Sequence, residues 1–597
     1  MKRQYKVLFA NICNYQFPEK EVVPLGQLLL ATILSSKEMC EAKVLDMNYV
    51  YSKGLLKKCE DLEEMLEETA EYLLQENPNF ISFYSMCNIH HYVIKIASII
   101  KRKSPKTIIC LAGPHATVTA RDNLEKFEFI DCIALGEGEL TVESIIFGAM
   151  DQNFANSRGI AYRYNKDIVI IENDDLLCNL DTLPIIDFSL LNFIPSKTIY
   201  IEVGRGCPFS CTFCTTNSFW HKKYRLKSPE RIIEEIKYII EQFNIYDFSF
   251  EHDLFLLNKE IVMKVCELII KNKLKITWGC SSRIDCIDEE LIYMLSKAGC
   301  RGIFFGIESA SRKIQSIIKK NLDISQLEIL IPWLQGAGIS PTFSFICGFP
   351  EETDDDIEET LELMYKIYEI YHKNYLQNKT KVQLHRLVFM PETPITKEQY
   401  DNLRLPQYYR TDLQYGEECW ENRDVIELLN NKKIFTQYFE LKSDFARLIE
   451  DIDVFYGFLF NYFIEYLDMT YKSLLYHYKR HLYLFRAFKN TIGSEKINRV
   501  FQNEKFTNGD IITWSIELMH SFIDVNDFGE DATFIRNMFY FEYNIFVKKH
   551  SKVENKFTMK VDYDVVRMKK QRELDFARKG YVIEFEENSI HQRCDKL

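Results

Sequence analysis

Short apolar runs alternate with amphipathic stretches over residues 1–150. The apolar runs are VLFANI near the start, AKVLDMNY at 42–49, FISFYSM at 80–86, TIICLAG at 107–113 and DCIALGEGE at 131–139. The stretches between them, such as LGQLLLATILSSKE and HHYVIKIASIIKRK, have a helical period. Because strands that alternate with helices form parallel sheets covered on both faces, the pattern predicts α/β structure, with a doubly wound, Rossmann-like parallel sheet at the N-terminus.

A second alternating region begins after an irregular segment. Residues 151–195 are rich in Asn and Asp and end in LDTLPIIDFSLLNFIP, which predicts a linker with some irregular strand. Over residues 196–395, helices separate the runs TIYIEV, YDFSFEHD, KITWGCSS, GIFFGIES, TFSFICGF and VQLHRLVF. Six or so βα units in succession predict a partial or full (β/α) barrel. Residues 396–597 are rich in aromatic side chains, and their period predicts a mainly α-helical C-terminal region.

Composition and charge narrow the range of partners. Apolar residues make up 47% of the chain and charged residues 27%, as in ordinary globular proteins. A net charge of −13 argues against a nucleic-acid partner. Since no uncharged apolar run reaches membrane-spanning length, we expect no membrane partner. The start, MKRQYKVLFANIC, favours a buried strand over a signal peptide. Most of the 17 cysteines lie in apolar runs rather than in a disulfide framework, which favours a reducing, cytoplasmic location.

Three cysteines stand close together directly after the first strand predicted for the barrel. In GRGCPFSCTFC, Cys207, Cys211 and Cys214 have the spacing C-x3-C-x2-C. Close thiolates in a reducing environment indicate soft-metal chemistry. Cubane iron–sulfur clusters usually take four cysteines, so three would leave one iron open to an outside ligand. A structural zinc site with His221 as the fourth ligand is the alternative, and it fits the glycine-flanked loop less well.

This motif, with the aromatic Phe213 before its last cysteine, resembles that of the radical S-adenosylmethionine (SAM) superfamily. The resemblance extends over roughly residues 1–395. It implies that the three cysteines hold a [4Fe–4S] cluster whose open iron is chelated by SAM. It further implies that reductive cleavage of SAM gives a 5′-deoxyadenosyl radical, which abstracts a hydrogen atom from a substrate. An electron donor such as flavodoxin or ferredoxin is then an expected partner.

The ends of the later strands carry further elements of the same resemblance. The family has an acidic pair near the methionyl group of SAM, polar and basic residues near its carboxylate and ribose, a SAM-binding glutamate and a glycine that lets the backbone approach adenine. The matching positions are Glu251, Asp253, Ser282, Arg283, Glu308 and Gly348. For Asp253, a cap on the next helix is an equally strong interpretation.

The first domain resembles the cobalamin-binding domain that precedes many radical SAM barrels. The matching residues lie in its first motif and in the loops expected to face phosphate or corrin: Pro24, Gly26, Gly113, Pro114, His115, Gly136, Glu137 and Gly138. The sequence departs from the pattern D-x-H-x-x-G, which supplies a lower axial histidine in some cobalamin proteins. The resemblance therefore predicts cobalamin with base-off cobalt, and leaves His90, His91 and His115 as the histidines available to ligate it.

The leading functional hypothesis is a cobalamin-dependent radical SAM enzyme that methylates an unactivated carbon of a peptide or natural-product substrate. One SAM would supply the methyl group and a second would supply the radical. A cobalamin-independent radical SAM enzyme that performs cyclisation, epimerisation or another SAM-derived transfer is the alternative. A non-catalytic iron–sulfur sensor is a third hypothesis, against which the SAM elements on five strands argue. Residues 400–597 match no motif, so the sequence does not identify the substrate.

Overall fold

The computed structural model describes most of the chain, and the described residues fall into two compact units. The residues described are 5–14, 23–37, 40–57, 61–173, 175–373, 381–406, 423–442, 449, 451–498, 508–550, 557–561, 565, 568–569, 574, 581–586 and 589–594. The first unit comprises Met1–Ile307, Gln315–Thr342 and Leu387–Lys442. The second comprises Glu308–Ile314, Phe343–Arg386 and Ser443–Leu597.

The N-terminal sheet has seven strands in the order β2-β1-β3-β4-β5-β6-β7. The strands are β1 (Tyr5–Asn11), β2 (Cys40–Asp46), β3 (Phe80–Tyr84), β4 (Ile108–Ala112), β5 (Cys132–Ala134), β6 (Ile160–Tyr164) and β7 (Asp167–Ile171). The first five strands pair in parallel, which confirms the predicted doubly wound sheet. Strand β2 is shorter than its apolar run because the Asp46 carboxylate accepts hydrogen bonds from the backbone N–H groups of Asn48 and Tyr49 and so caps a helix.

Strands β6 and β7 form an antiparallel hairpin inside the segment predicted as a linker. Asn165 adopts a left-handed φ of 55° in the two-residue turn between them. The first sheet therefore continues beyond residue 150, and only the residues after β7 connect the two domains irregularly.

Helices cover the N-terminal sheet and connect its parallel strands. They are α1 (Leu25–Ser35), α2 (Met47–Ser52), α3 (Leu62–Leu74), α4 (His90–Lys103), α5 (Pro114–Val118), α6 (Ala120–Lys126) and α7 (Val142–Met150). In α4, both histidines and the aliphatic side chains are buried, whereas the basic residues stand in the last turn, where they complement the helix dipole.

The second large sheet has six strands in the order β15-β14-β13-β12-β11-β8. The strands are β8 (Thr198–Glu202), β11 (Asp247–Glu251), β12 (Thr277–Ser282), β13 (Cys300–Glu308), β14 (Ser340–Cys347) and β15 (Lys381–Arg386). A linear order over the described residues corresponds to the partial form of the predicted barrel. Two short strands, β9 (Gly204–Arg205) and β10 (Arg225–Leu226), pair antiparallel between β8 and β11.

Helices alternate with these strands as the sequence predicts. They are α8 (Thr216–Phe219), α9 (Pro229–Phe243), α10 (Lys259–Lys271), α11 (Glu289–Lys297), α12 (Arg312–Ile317), α13 (Leu327–Ala337), α14 (Asp354–Lys373) and α15 (Pro394–Gln399). In helix α9, local residues explain where the helix begins and where it ends. The Ser228 hydroxyl accepts a hydrogen bond from the N–H of Arg231, Pro229 occupies the first turn, and Asn244 ends the helix in the left-handed conformation.

The C-terminal region is mainly helical, as predicted. Helix α16 (Arg423–Leu429) lies between the short strands β16 (Leu403–Arg404) and β17 (Glu440–Leu441). The helices that follow are a π-helix (Asp453–Leu459), α17 (Phe460–Tyr466), α18 (Asp468–Tyr478), α19 (His481–Ile492), α20 (Ser494–Asn498), α21 (Asn508–Val525) and α22 (Ala532–His550). Strands β18 (Phe557–Val561), β19 (Tyr581–Glu586) and β20 (Ser589–Cys594) form an antiparallel sheet. Within the described residues, no helix is both long and apolar enough to cross a membrane.

Candidate functional site

The cysteine motif lies in a loop, residues 206–224, whose base is closed by the pairing of β9 with β10. Two glycines make this closure sterically feasible. A Cβ on Gly206 would lie 2.0 Å from the carbonyl oxygen of Lys223, and one on Gly204 would lie 2.4 Å from that of Arg225. We call residues 206–224 the cluster loop.

The fold brings the three cysteines of the cluster loop together. All three are half-buried, and burial raises the pKa of Cys207 to about 11, with smaller contributions from Cys214, Cys211 and Asp253. Among the described residues, no three His, Cys, Asp or Glu side chains converge on a point that could hold one metal ion. A cubane cluster does not require such convergence, because each thiolate binds a different iron. His221, the proposed fourth zinc ligand, is exposed. Phe213, which lies between Cys211 and Cys214 in the sequence, is half-buried.

Arg283, predicted near SAM, retains one unused donor beside the cluster loop. Its guanidinium lies 3.8 Å from the centre of the Phe209 ring. It donates hydrogen bonds to Asp285 (2.9 and 2.7 Å) and to the carbonyl of Lys320 (3.0 Å), while Nη1 is buried without a partner. The Ser282 hydroxyl, in contrast, donates to the carbonyl of Arg283 (3.1 Å). Arg283 is therefore the better placed of the two to bind an anionic group.

The acidic pair stands at the end of β11. The Glu251 carboxylate accepts a hydrogen bond from Ser249 (2.6 Å). Partial burial raises the pKa of Asp253, and a hydrogen bond from the Thr216 hydroxyl (3.2 Å) opposes this shift. Asp253 does not cap the next helix, because the Asn258 side chain caps α10 through the N–H of Ile261.

Two cavities lie where the N-terminal domain meets the cysteine-bearing half of the first unit. The first has a volume of about 1290 Å³, including its open mouth, and is lined by the ends of β1 and β3, by Pro24 and Gly26, and by Tyr200 and Glu251. Strands β1 and β3 are neighbours whose connections run in opposite directions, and such a switch point is where doubly wound sheets bind ligands.

The second cavity, of about 830 Å³, shares Met86 with the first. Its lining combines apolar side chains with a few polar ones: Met86, Cys87, Pro114, His115, Val118, Thr215, Thr216, Phe219, Trp220, Asp253, Met390 and Pro391. It therefore joins helix α5 of the N-terminal domain to the residues that directly follow Cys214.

The three candidate histidines of the N-terminal domain differ in their partners. His90 pairs through Nδ1 with the Ser85 hydroxyl (2.5 Å) and through Nε2 with Asn123 Oδ1 (2.9 Å). His91 pairs through Nδ1 with the Tyr438 hydroxyl (2.8 Å). His115 is 5% exposed, and its Nε2 is buried without a partner. Burial lowers the pKa of all three imidazoles, to about 4 for His90 and about 3 for His91.

Among the other residues predicted to face the cofactor, the glycines shape the backbone of the loops and Glu137 forms ion pairs. Gly113 has a φ of +100° at the start of α5, and a Cβ there would lie 2.9 Å from the Tyr84 ring. Gly136 has a φ of +64°, with open space where a Cβ would stand, and a Cβ on Gly138 would lie 3.0 Å from Leu30. The Glu137 carboxylate, expected to face the cofactor, is instead 2% exposed and engaged by two arginines.

Two predicted SAM residues belong to the second unit. Glu308 is buried and has a φ of +70°, a strained conformation for a residue with a side chain. Gly348 has a φ of +91°, and a Cβ there would lie 2.9 Å from Ile449. Its N–H donates to the carboxyl of Glu352 (2.5 Å). Backbone strain at a strand end is typical of functional sites.

Sequence reasoning did not select several residues around the cluster loop. These are Met86, Glu139, Glu202, Arg205, Trp220 and Arg225. Arg205 stands in the same GRGC string as the first cysteine, which was a usable signal. Arg225 carries none, because its role arises only from the pairing of β10 with β9.

The donor sets fit the cofactors that the sequence implies. Three thiols on a closed loop suit an iron–sulfur cluster, and the unused Nη1 of Arg283 suits an anionic ligand beside it. The switch-point cavity and the open space at Gly136 suit a large polar cofactor on the N-terminal domain.

Two known sequence families match separate parts of the chain. The sequence model of the radical SAM superfamily matches residues 201–364, and that of the B12-binding domain matches residues 18–146. An uncharacterized methyltransferase from Pyrococcus horikoshii is 28% identical over 350 residues, covering 58% of this chain and 73% of the relative. An anaerobic magnesium-protoporphyrin IX monomethyl ester cyclase from Cereibacter sphaeroides is 26% identical over 316 residues, but this match covers only 50% of this chain and 51% of the cyclase.

A solved structure shares the fold over nearly the whole chain. The cobalamin-dependent SAM radical enzyme OxsB, with aqua-cobalamin and SAM bound, aligns with a TM-score of 0.58 at 16% identity. The alignment covers 91% of this chain and 84% of OxsB, so the C-terminal region is included in the likeness.

Proposed function

We propose that this chain, which matches the radical SAM superfamily over residues 201–364 and the B12-binding domain over residues 18–146, is an enzyme that transfers a methyl group from SAM to an unactivated carbon of a peptide or natural product. The observation that carries the proposal is the second cavity, which is lined both by helix α5 of the N-terminal domain and by residues that follow Cys214. The description of the P. horikoshii relative as a methyltransferase supports the same reaction class.

We assign the cluster and cobalamin to separate parts of the first unit. Cys207, Cys211 and Cys214 would hold the [4Fe–4S] cluster, and Arg283 would bind an anionic group of SAM. The first cavity, with Pro24 and Gly26 at its wall, would hold cobalamin. When bound, the cluster supplies the electron that cleaves SAM, and cobalamin supplies a carrier for the methyl group.

The residues of the second cavity would bind the substrate and exclude water from the reacting carbon. Phe219, Trp220 and Met390 provide apolar walls, and His115 and Asp253 provide polar contacts that can orient a substrate. Because its pKa is well below the usual value, His115 is neutral and can donate or accept one hydrogen bond. A reducing, cytoplasmic location and a flavodoxin or ferredoxin donor follow from the need for thiolates and low-potential electrons.

The experiment uses full-length protein reconstituted with iron, sulfide and hydroxocobalamin. With SAM, a reductant and a methylatable substrate, methyl transfer predicts S-adenosylhomocysteine and 5′-deoxyadenosine in equal amounts. Bound cobalamin is measured by its visible spectrum, and Cys207→Ala is the control that should form no 5′-deoxyadenosine. Formation of 5′-deoxyadenosine alone, by protein that takes up no cobalamin, would contradict methyl transfer. Such a result would favour a cobalamin-independent radical reaction such as the cyclisation named for the C. sphaeroides relative.

A further inference from the structure

Two arginines stand directly opposite each other at the base of the cluster loop. Arg205 and Arg225 are the paired residues of β9 and β10, and their side chains are 4% and 9% exposed. Like charges on directly opposite strand positions repel each other, and burial strengthens that repulsion. An anion between the two guanidinium groups relieves this repulsion and favours the closed base of the loop.

The N-terminal domain supplies that anion from the loop after β5. Glu137 Oε1 lies 3.0 Å from Arg205 Nη1 and 2.7 Å from Arg225 Nη2, so one carboxylate bridges both arginines. Its Oε2 accepts hydrogen bonds from Arg225 Nη1 (3.0 Å) and from the backbone N–H of Leu177 (2.9 Å). Burial alone would raise the pKa of Glu137, but these donors and charges outweigh burial and lower it, so the carboxylate stays ionised.

Two further carboxylates and one aromatic ring surround the arginines, but neither carboxylate bridges Arg205 to Arg225 as Glu137 does. Glu139 (2.6 Å) and Glu202 (2.8 Å) pair with Arg205 only. The Trp220 ring, on the cluster loop itself, lies 5.6 Å from the Arg205 guanidinium and 5.5 Å from that of Arg225. Since Arg205 stands two positions before Cys207, a shift of this base would move the first cluster ligand.

We propose that Glu137 is a positioning residue through which the B12-binding domain holds the cluster loop in its working geometry. Glu137 lies within the B12-binding match, so its two ion pairs link that domain directly to the base of the cluster loop. The effect of Glu137 on an iron–sulfur cluster rests on the proposed function, whereas its effect on the cluster loop does not.

The test compares Glu137→Gln with Glu235→Gln in the full-length protein. Glu235 is a matched control, because it is also a mostly buried carboxylate bridging two cations, Lys227 and Arg231, but it lies on α9. Hydrogen–deuterium exchange of peptides spanning residues 204–226, measured without cofactors, should become at least about tenfold faster in Glu137→Gln and change little in Glu235→Gln. The reconstituted Glu137→Gln protein should also show an altered electron paramagnetic resonance spectrum of its reduced, SAM-bound cluster.

A double variant separates this role from a general loss of stability. If repulsion between the arginines opens the loop, Glu137→Gln combined with Arg225→Gln should exchange more slowly than Glu137→Gln alone, and Glu137→Asp should restore the spectrum in part. The proposal would be overturned if residues 204–226 exchanged in Glu137→Gln at the wild-type rate, or if Glu137→Gln and Glu235→Gln accelerated their exchange equally. It would also be overturned if the double variant exchanged as fast as Glu137→Gln alone. Failure of the wild type to bind a cluster would refute the proposed function, while the exchange measurement would still test the bridge.

Discussion

Glu352, whose carboxyl accepts a hydrogen bond from the N–H of Gly348, should make the stability of the second unit depend on pH. Burial raises its pKa to about 8, partly offset by the backbone N–H groups of Gly348 and Phe349. Of the nearby charges, Asp356 raises this pKa further and Lys313 lowers it. The second carboxyl oxygen is buried without a partner, which a neutral acid tolerates and an ionised one does not.

The sign of the effect follows from proton binding in the two states. Between the ordinary value of 4.5 and about 8, the folded state keeps a proton that the unfolded state releases. The wild type therefore loses stability as the pH rises through this window, by up to about 1.4 kcal/mol per pH unit. From pH 5 to pH 7 the loss is about 2–3 kcal/mol, or roughly 5–10 °C in the Tm of a unit of this size.

Glu352→Gln removes the titrating group and keeps a hydrogen-bond acceptor for Gly348. We expect its Tm, relative to wild type, to rise by roughly 5–10 °C between pH 5 and pH 7, measured by differential scanning calorimetry. Glu351→Gln is the matched control, because Glu351 is the neighbouring carboxylate and is exposed. A Tm difference between Glu352→Gln and wild type that stays constant over this range would refute the reasoning.

Three further predictions concern the cofactor sites. Alanine at any one cluster cysteine should abolish the iron content of the reconstituted protein, and full iron in such a variant would disprove the ligand assignment. Cys286→Ala is the control and should preserve the iron content, although Cys286 is also a half-buried thiol close to Cys207. Glu308→Gln should weaken SAM binding about 10–100-fold in equilibrium dialysis, through loss of a charge-assisted hydrogen bond, and should leave the cluster's absorbance intact; unchanged affinity would make Glu308 structural. Electron paramagnetic resonance of the cob(II)alamin-loaded protein should show no nitrogen splitting, and a splitting that disappears in His115→Ala would identify an axial histidine instead.

Local patterns in the sequence determined the architecture and predicted the cluster ligands. The alternation of apolar runs with helical stretches is a pattern among neighbouring residues. The parallel N-terminal sheet and the six-stranded second sheet confirm the α/β structure that this alternation predicts. The cysteine spacing is local in the same sense, since all three thiols lie on one loop. The hairpin of β6 and β7 escaped prediction because its turn is marked by a single left-handed Asn rather than by Gly.

Only the tertiary structure decided which polar residues act together. Glu137 and Arg205 stand 68 residues apart, and their ion pair exists because two separately formed sheets bring their loops to one place. The same packing leaves a ring nitrogen of His115 unpartnered while it satisfies both of those of His90. Periodicity specifies which face of an element is buried, but the partner of a buried charge depends on long-range register, because electrostatic and hydrogen-bond contacts form between residues that no local pattern relates.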